Sequence, residues 1–200
     1  MPGRPFLQIP GPTLVPERIV RAMSQPVIDH RGPKFAALVE ACLDGLKGVF
    51  QTTRGRIVLY PGSGTGAWEA AIVNTLSPGE RVLAVVNGHF STGFAKTAEA
   101  YGIEVDKIEV PYGAGAPADE IERRLGADAA HELSAVLVVH NETSTGVTSN
   151  VAAVRAAMDR AKHPALLLVD TVSSLASIDF RLDEWKVDVA LTGPQKGLML

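Results

Sequence analysis

The sequence predicts an α/β fold built on a mainly parallel sheet. From Arg56 onward, short apolar runs alternate with helical stretches of ~10 residues, the pattern of βαβ units. One run, 165–169, is continuously apolar, as a strand covered on both faces of a parallel sheet must be. Polar residues with chemical potential fall just past the ends of these runs, where open α/β sheets bind ligands.

The first thirty residues are aperiodic and carry Pro2, Pro5, Pro10, Pro12, Pro16 and Pro26. Proline removes a donor and fixes φ, so neither a long helix nor a central strand can form there. One short helix, 17–23, fits after Pro16. We read residues 1–30 as an N-terminal arm, with the PGP turn at 10–12 either a surface feature or part of a site. Asp29, His30 and Arg31 precede Gly32 and Pro33 and read as a solvated turn; a ligand set or a subunit contact is the alternative. The helix expected over 35–50 has an apolar side that includes Cys42, which suggests a packed thiol.

Strands are expected at 57–60, 81–86, 105–110, 135–139, 165–169 and 187–191. Helices are expected at 66–76, 92–101, 118–125 and 150–162. Ser149 or Asn150 can cap the helix VAAVRAAMDRA, and SPGE at 77–80 is a turn that ends one helix and opens a strand. No repeat, low-complexity segment or mid-chain linker interrupts residues 31–200, which read as one layered unit.

Composition narrows the function. A chain of 200 residues that is 46% hydrophobic suits one domain with a sizeable core. A formal charge of -3 gives no basic footprint for nucleic acid. A single cysteine excludes an internal disulfide framework and fits a reducing compartment. No apolar run approaches the ~20 residues of a membrane span, and the start MPGRPFLQIPGPT lacks the apolar core of a signal peptide. The expectation is a cytoplasmic protein with no membrane and no nucleic-acid partner.

Five stretches carry chemistry. PGSGTGAWEAA (61–71) follows a strand and opens a helix. Its glycines allow close backbone approach, first-turn amides face an anion, and Ser63 and Thr65 add hydroxyl donors, which makes a phosphate cup, with a plain strand-to-helix turn as the alternative. The spacing fits neither a Walker motif nor GxGxxG. NGHF (87–90) offers Phe90 or His89 as an aromatic plate for a planar ring. HNETSTG (140–146) places hydroxyls and an amide at a strand end. His140 and Glu142 there suggest metal binding, but nothing else in the sequence has ligand spacing, and no metal is expected. The last two stretches supply one acid, Asp170, ending an apolar strand, and one lysine, Lys196, just beyond the next. An acid that holds a protonated ring nitrogen and a lysine that condenses with an aldehyde are what pyridoxal phosphate requires.

The order of these motifs resembles the class V branch of fold type I aminotransferases, and within it the serine–glyoxylate and alanine–glyoxylate enzymes. The resemblance runs from PGPTLVPERI through DHRGPKF, SGTGAWEAA, NGHFS, HNETSTGV and LLLVDTVSSL to TGPQKGLML. It implies the three-layer large domain of that fold, with pyridoxal 5'-phosphate as cofactor and amino acids and 2-oxo acids as substrates. Lys196 would tether the cofactor and shuttle a proton, and Asp170 would keep the ring nitrogen protonated. Ser63, Gly64, Thr65 and Gln195 would hold the phosphate; Phe90 would stack on the ring. Thr143 would bond near the ring hydroxyl or the aspartate. Alanine–glyoxylate enzymes of animals carry His and Trp where Thr65 and Phe90 stand, which tilts the expected donor toward serine.

Family members continue for roughly as many residues again, with a small C-terminal domain, a substrate-binding arginine and residues that complete a partner's phosphate site. The resemblance therefore implies an N-terminal fragment of a homodimeric enzyme, truncated before that small domain and not expected to be complete as a catalyst alone. Other readings are a class V desulfurase or lyase, which would need a mobile catalytic cysteine, a nucleotide-dependent Rossmann oxidoreductase, and a non-catalytic binding module.

Overall fold

The computed structural model describes residues 7–200; Pro2 and Pro5 of the expected arm lie outside them. Helix α1 (Glu17–Met23) follows Pro16, and α2 (Pro33–Phe50) opens with proline at its first position, where the missing N–H costs nothing. Next come α3 (Gly64–Thr75), β1 (Arg81–Val86), α4 (His89–Ala100) and β2 (Glu104–Glu109). The chain continues through α5 (Ala118–Ala127), β3 (Leu133–Val139) and a hairpin of two short strands, β4 (Asn141–Glu142) and β5 (Val147–Thr148). It ends with α6 (Val151–Ala161), β6 (Leu166–Asp170) and β7 (Val189–Leu191). Asn150 caps α6 by accepting the Ala153 N–H, as its sequence position suggests.

The main sheet has the order β2-β1-β3-β6-β7 and every pairing is parallel. Period-two alternation divides its side chains between two cores. Val82, Ala84, Ala135, Leu137 and Leu168 pack under α3 and α4 with Ile72, Phe94 and Ala98. Leu83, Val85, Val136, Val138, Leu167 and Val169 pack under α5 and α6 with Ile121, Leu125 and Met158. Both faces are thus covered, and the architecture is the three-layer α/β arrangement that continuous apolar strands demand. The chain leaves β1 toward β2 on one side and returns to β3 on the other. This reversal opens a crevice at the carboxyl ends of the strands.

Two expectations fail here. Residues 57–60 form no strand, and Val58 is 73% exposed. A strand needs a neighbour for its ladder, and no described residue pairs with this segment. Cys42 is exposed rather than packed. Of the eighteen residues of α2 only Phe50 is buried, because no described element covers the helix's apolar side, where Phe35 and Leu38 also lie open. The turn at Asp29 to Arg31 is exposed and closes locally, with Asp29 Oδ1 accepting the Arg31 N–H at 2.9 Å.

Candidate active site

The crevice holds a pocket of about 290 Å³, near the lower end for small-molecule sites. Its walls come from the start of α3, the segments that follow β1, β3, β6 and β7, and the N-terminal arm. Helix α3 begins at Gly64, two residues earlier than the glycine spacing suggests, and Ser63 is its N-cap, with Oγ accepting the Gly66 N–H at 3.3 Å. The Gly64 and Thr65 amides have no acceptor within the helix, so this end of the pocket suits an anion. A side chain at Gly64 would bring its Cβ within 3.1 Å of Val172, which also lines the pocket; the close approach of turn and strand end favours glycine.

Asp170 ends β6 and is only 4% exposed. Oδ1 accepts the Val172 N–H at 2.7 Å and Oδ2 accepts the Trp68 indole N–H at 2.6 Å. Burial pushes the carboxyl above its ordinary range, opposed by the Val172 amide, the Trp68 indole and the charge of Lys196. Lys196 reaches into the same pocket, its Nζ 3.5 Å from Thr143 Oγ1 and 5.3 Å from the centroid of the Phe90 ring. The arm closes over it. Thr13 donates its N–H to the Gln195 carbonyl at 2.9 Å, and a Cβ on Gly11 would stand 2.9 Å from Lys196 Cε. The PGP turn therefore lines the site.

Phe90 owes its place to Glu142. This fully buried carboxylate accepts the Ser91 N–H at 2.9 Å, the Phe90 N–H at 3.3 Å and the Ser144 hydroxyl at 2.7 Å. It thus caps α4 from the β4–β5 hairpin, where a negative charge meets the helix N-terminus favourably. Burial alone would raise its pKa, but the Ser144 hydroxyl and the Ser91, Ser144 and Phe90 amides together hold it below its ordinary value of 4.5. A carboxylate with a depressed folded pKa stabilises above its unfolded pKa and loses that contribution as pH falls through the folded one. Glu142→Gln is expected to cost about 1–3 kcal/mol at neutral pH, read by urea unfolding. The difference from wild type should shrink below pH 4.5.

The structure brings Ser63, Gly64, Thr65, Phe90, Thr143, Asp170, Gln195 and Lys196 to one pocket. It turns others away. His89 is exposed, its ring edge-on to Phe90. His140 is buried on the opposite side, packed against Phe180 and Trp185 with Nδ1 2.9 Å from Ser174 Oγ; burial lowers its pKa to about 4. No group of three or more potential metal ligands occurs among the described residues. Sequence reasoning missed Trp68, Val172 and the bridge between Asn141 and Ser173. Trp68 did carry a signal: it lies four residues after Gly64, on the same helical face, and a buried indole N–H needs an acceptor.

A three-layer α/β sheet whose crevice gathers a lysine, an acid, an aromatic ring and an anion-binding turn defines the large-domain class of fold type I enzymes. Residues 6–199 match the family described as aminotransferase class-V, and the chain belongs to it. It is 54% identical over 192 residues to an L-aspartate–glyoxylate aminotransferase of Paracoccus denitrificans, covering 96% of this chain and 48% of that protein. Against a serine–glyoxylate aminotransferase of Methylorubrum extorquens it is 52% identical over 199 residues, covering 100% and 50%. Among solved structures, ureidoglycine–glyoxylate aminotransferase from Bacillus subtilis superposes with a TM-score of 0.89 at 30% identity, over 96% of this chain and 48% of that one. The chain spans about half the length of the curated relatives it matches. Membership of this family implies pyridoxal phosphate as cofactor. No described helix is long and apolar enough to cross a membrane.

Proposed function

We propose that the protein is a pyridoxal-phosphate-dependent transaminase that moves an amino group to glyoxylate, giving glycine, with serine as donor and alanine as the second choice. One observation carries the reaction class: Lys196 and Asp170 line a single pocket together with the Ser63–Gly64–Thr65 turn. The donor set fits the cofactor, since an amine, a buried carboxylate and a turn with outward amides match its aldehyde, ring nitrogen and phosphate. When bound, pyridoxal phosphate supplies an aldehyde that condenses with amines and a ring that accepts electrons from Cα.

The residues have separate tasks in this reading. Ser63, Gly64 and Thr65 bind the phosphate with Gln195. Phe90 would stack on the ring, and Asp170 would hold the proton on the ring nitrogen. Thr143 lies beside the Lys196 amine, which would tether the cofactor and serve as the general base for the substrate Cα proton. Residues 31–200 serve as the cofactor-binding large domain and 1–30 as an arm. The open apolar side chains Val27, Phe35, Leu38 and Val58 suit burial against a second copy in a cytoplasmic homodimer.

The purified protein should be yellow, and borohydride should fix the cofactor onto the peptide containing Lys196, seen by mass spectrometry. A panel of serine, alanine, aspartate and cysteine with glyoxylate should then rank serine first. Aspartate as the best donor would overturn the donor choice and leave the reaction class standing.

A further inference from the structure

We infer that Trp68 is a positioning residue for the ring-nitrogen end of the site, holding the Asp170 carboxylate at a fixed distance from the phosphate turn. The inference rests on the cofactor reading above and extends it to a side chain which that reading does not use. Among the described residues, Asp170 receives two hydrogen bonds, one from the Val172 backbone and one from the Trp68 indole. Trp68 is therefore the side-chain donor to this buried acid among the described residues. A carboxylate offers about four acceptor positions, so these two bonds fix its orientation and leave others for a ligand in the pocket.

The indole is itself held in place. It is 7% exposed and stacks on Phe94 with ring centroids 5.7 Å apart and planes 19° from parallel. Its edge lies over Gly93, where a Cβ would stand 3.1 Å from Cη2 and Cζ3. A larger residue at 93 would displace the ring. The same helix that starts at Gly64 carries Trp68 one turn later, about 6 Å along its axis. Helix α3 thus acts as a rigid spacer: its first turn faces the phosphate, and its second holds the acid that meets the ring nitrogen. The bond also favours the ionised carboxylate, the form needed opposite a protonated nitrogen.

The test is cofactor uptake by the cofactor-free protein, measured by absorbance titration from acid to neutral pH. Trp68→Phe keeps an aromatic ring on Phe94 and deletes only the N–H. It should weaken pyridoxal phosphate binding about 10-fold or more at neutral pH, the scale of one hydrogen bond to a charged group. The acid limb of the affinity profile should also move to higher pH, because the carboxylate is then harder to ionise. Gly93→Ala, which shifts the ring but keeps the N–H, should move both readouts the same way by less, and serves if Trp68→Phe does not fold. Affinity within two-fold of wild type with an unmoved acid limb overturns the inference alone. So does a loss of affinity that tracks lowered thermal stability with the limb unmoved. A wild-type protein that takes up no pyridoxal phosphate at any pH overturns the functional reading and this one together.

Discussion

Lys196→Ala is expected to lower transamination by at least ~10⁴-fold, the upper range for a positioned general base, with loss of covalent attachment added to it. The protein should still fold, because the side chain is only half-buried, and its neighbours Thr143 and Phe90 are placed by other contacts. Lys196→Arg separates charge from nucleophilicity. Arginine can keep a cation over the Phe90 ring, where Lys196 Nζ now stands 5.3 Å from the centroid, but the guanidinium stays protonated and cannot attack an aldehyde. Both variants should therefore fail equally in turnover and in borohydride fixation. Full turnover by Lys196→Ala would remove the catalytic assignment, whatever the colour of the protein.

Asp170→Asn should be nearly as damaging. The amide keeps the size of the side chain and removes the charge that opposes a protonated ring nitrogen. Breaking one side of a buried ion pair costs about 3–5 kcal/mol, or roughly 10²–10⁴ in rate at 1.36 kcal/mol per decade. Steady-state kinetics with the cofactor saturating would read this as a fall in kcat, and equilibrium titration as weaker cofactor retention. The cofactor-free protein gives a second readout. Because burial raises the Asp170 pKa above its ordinary 3.8, the acid contributes stability that is fully present below 3.8 and lost as pH rises through the folded value. Asp170→Asn should flatten that limb of the melting profile. A kcat unchanged by this substitution would show that the carboxylate does not face the ring nitrogen.

These acids illustrate what could be read in advance. Asp170 stood out because it interrupts an apolar run at its end, and the buried strand explains both facts. Glu142 stood out equally, in a loop too polar to ignore, yet its work is to cap α4 and so to hold Phe90. Each has a local partner two residues on, but they differ in the distant one, which comes from 51 positions away for Glu142 and 102 for Asp170. No local pattern records such a pairing. The same holds for His140, polar and at a strand end, which packs behind the sheet against Phe180 and Trp185. The 57–60 run failed for the complementary reason: its composition suits a strand, but a ladder is a property of two segments.

By itself the sequence determined the alternation of elements, the parallel sheet and the residue types waiting at its carboxyl edge. Those follow from period, propensity and the cost of burying polar groups, all of which act over a few neighbouring residues. Tertiary structure alone decided which of those polar groups face the pocket and which serve the scaffold. It also seated Trp68 against Asp170 and drew the N-terminal arm across Lys196. Hydrogen-bond direction and burial depend on what lies opposite in space, and that is set only when strands and helices distant in the chain pack together.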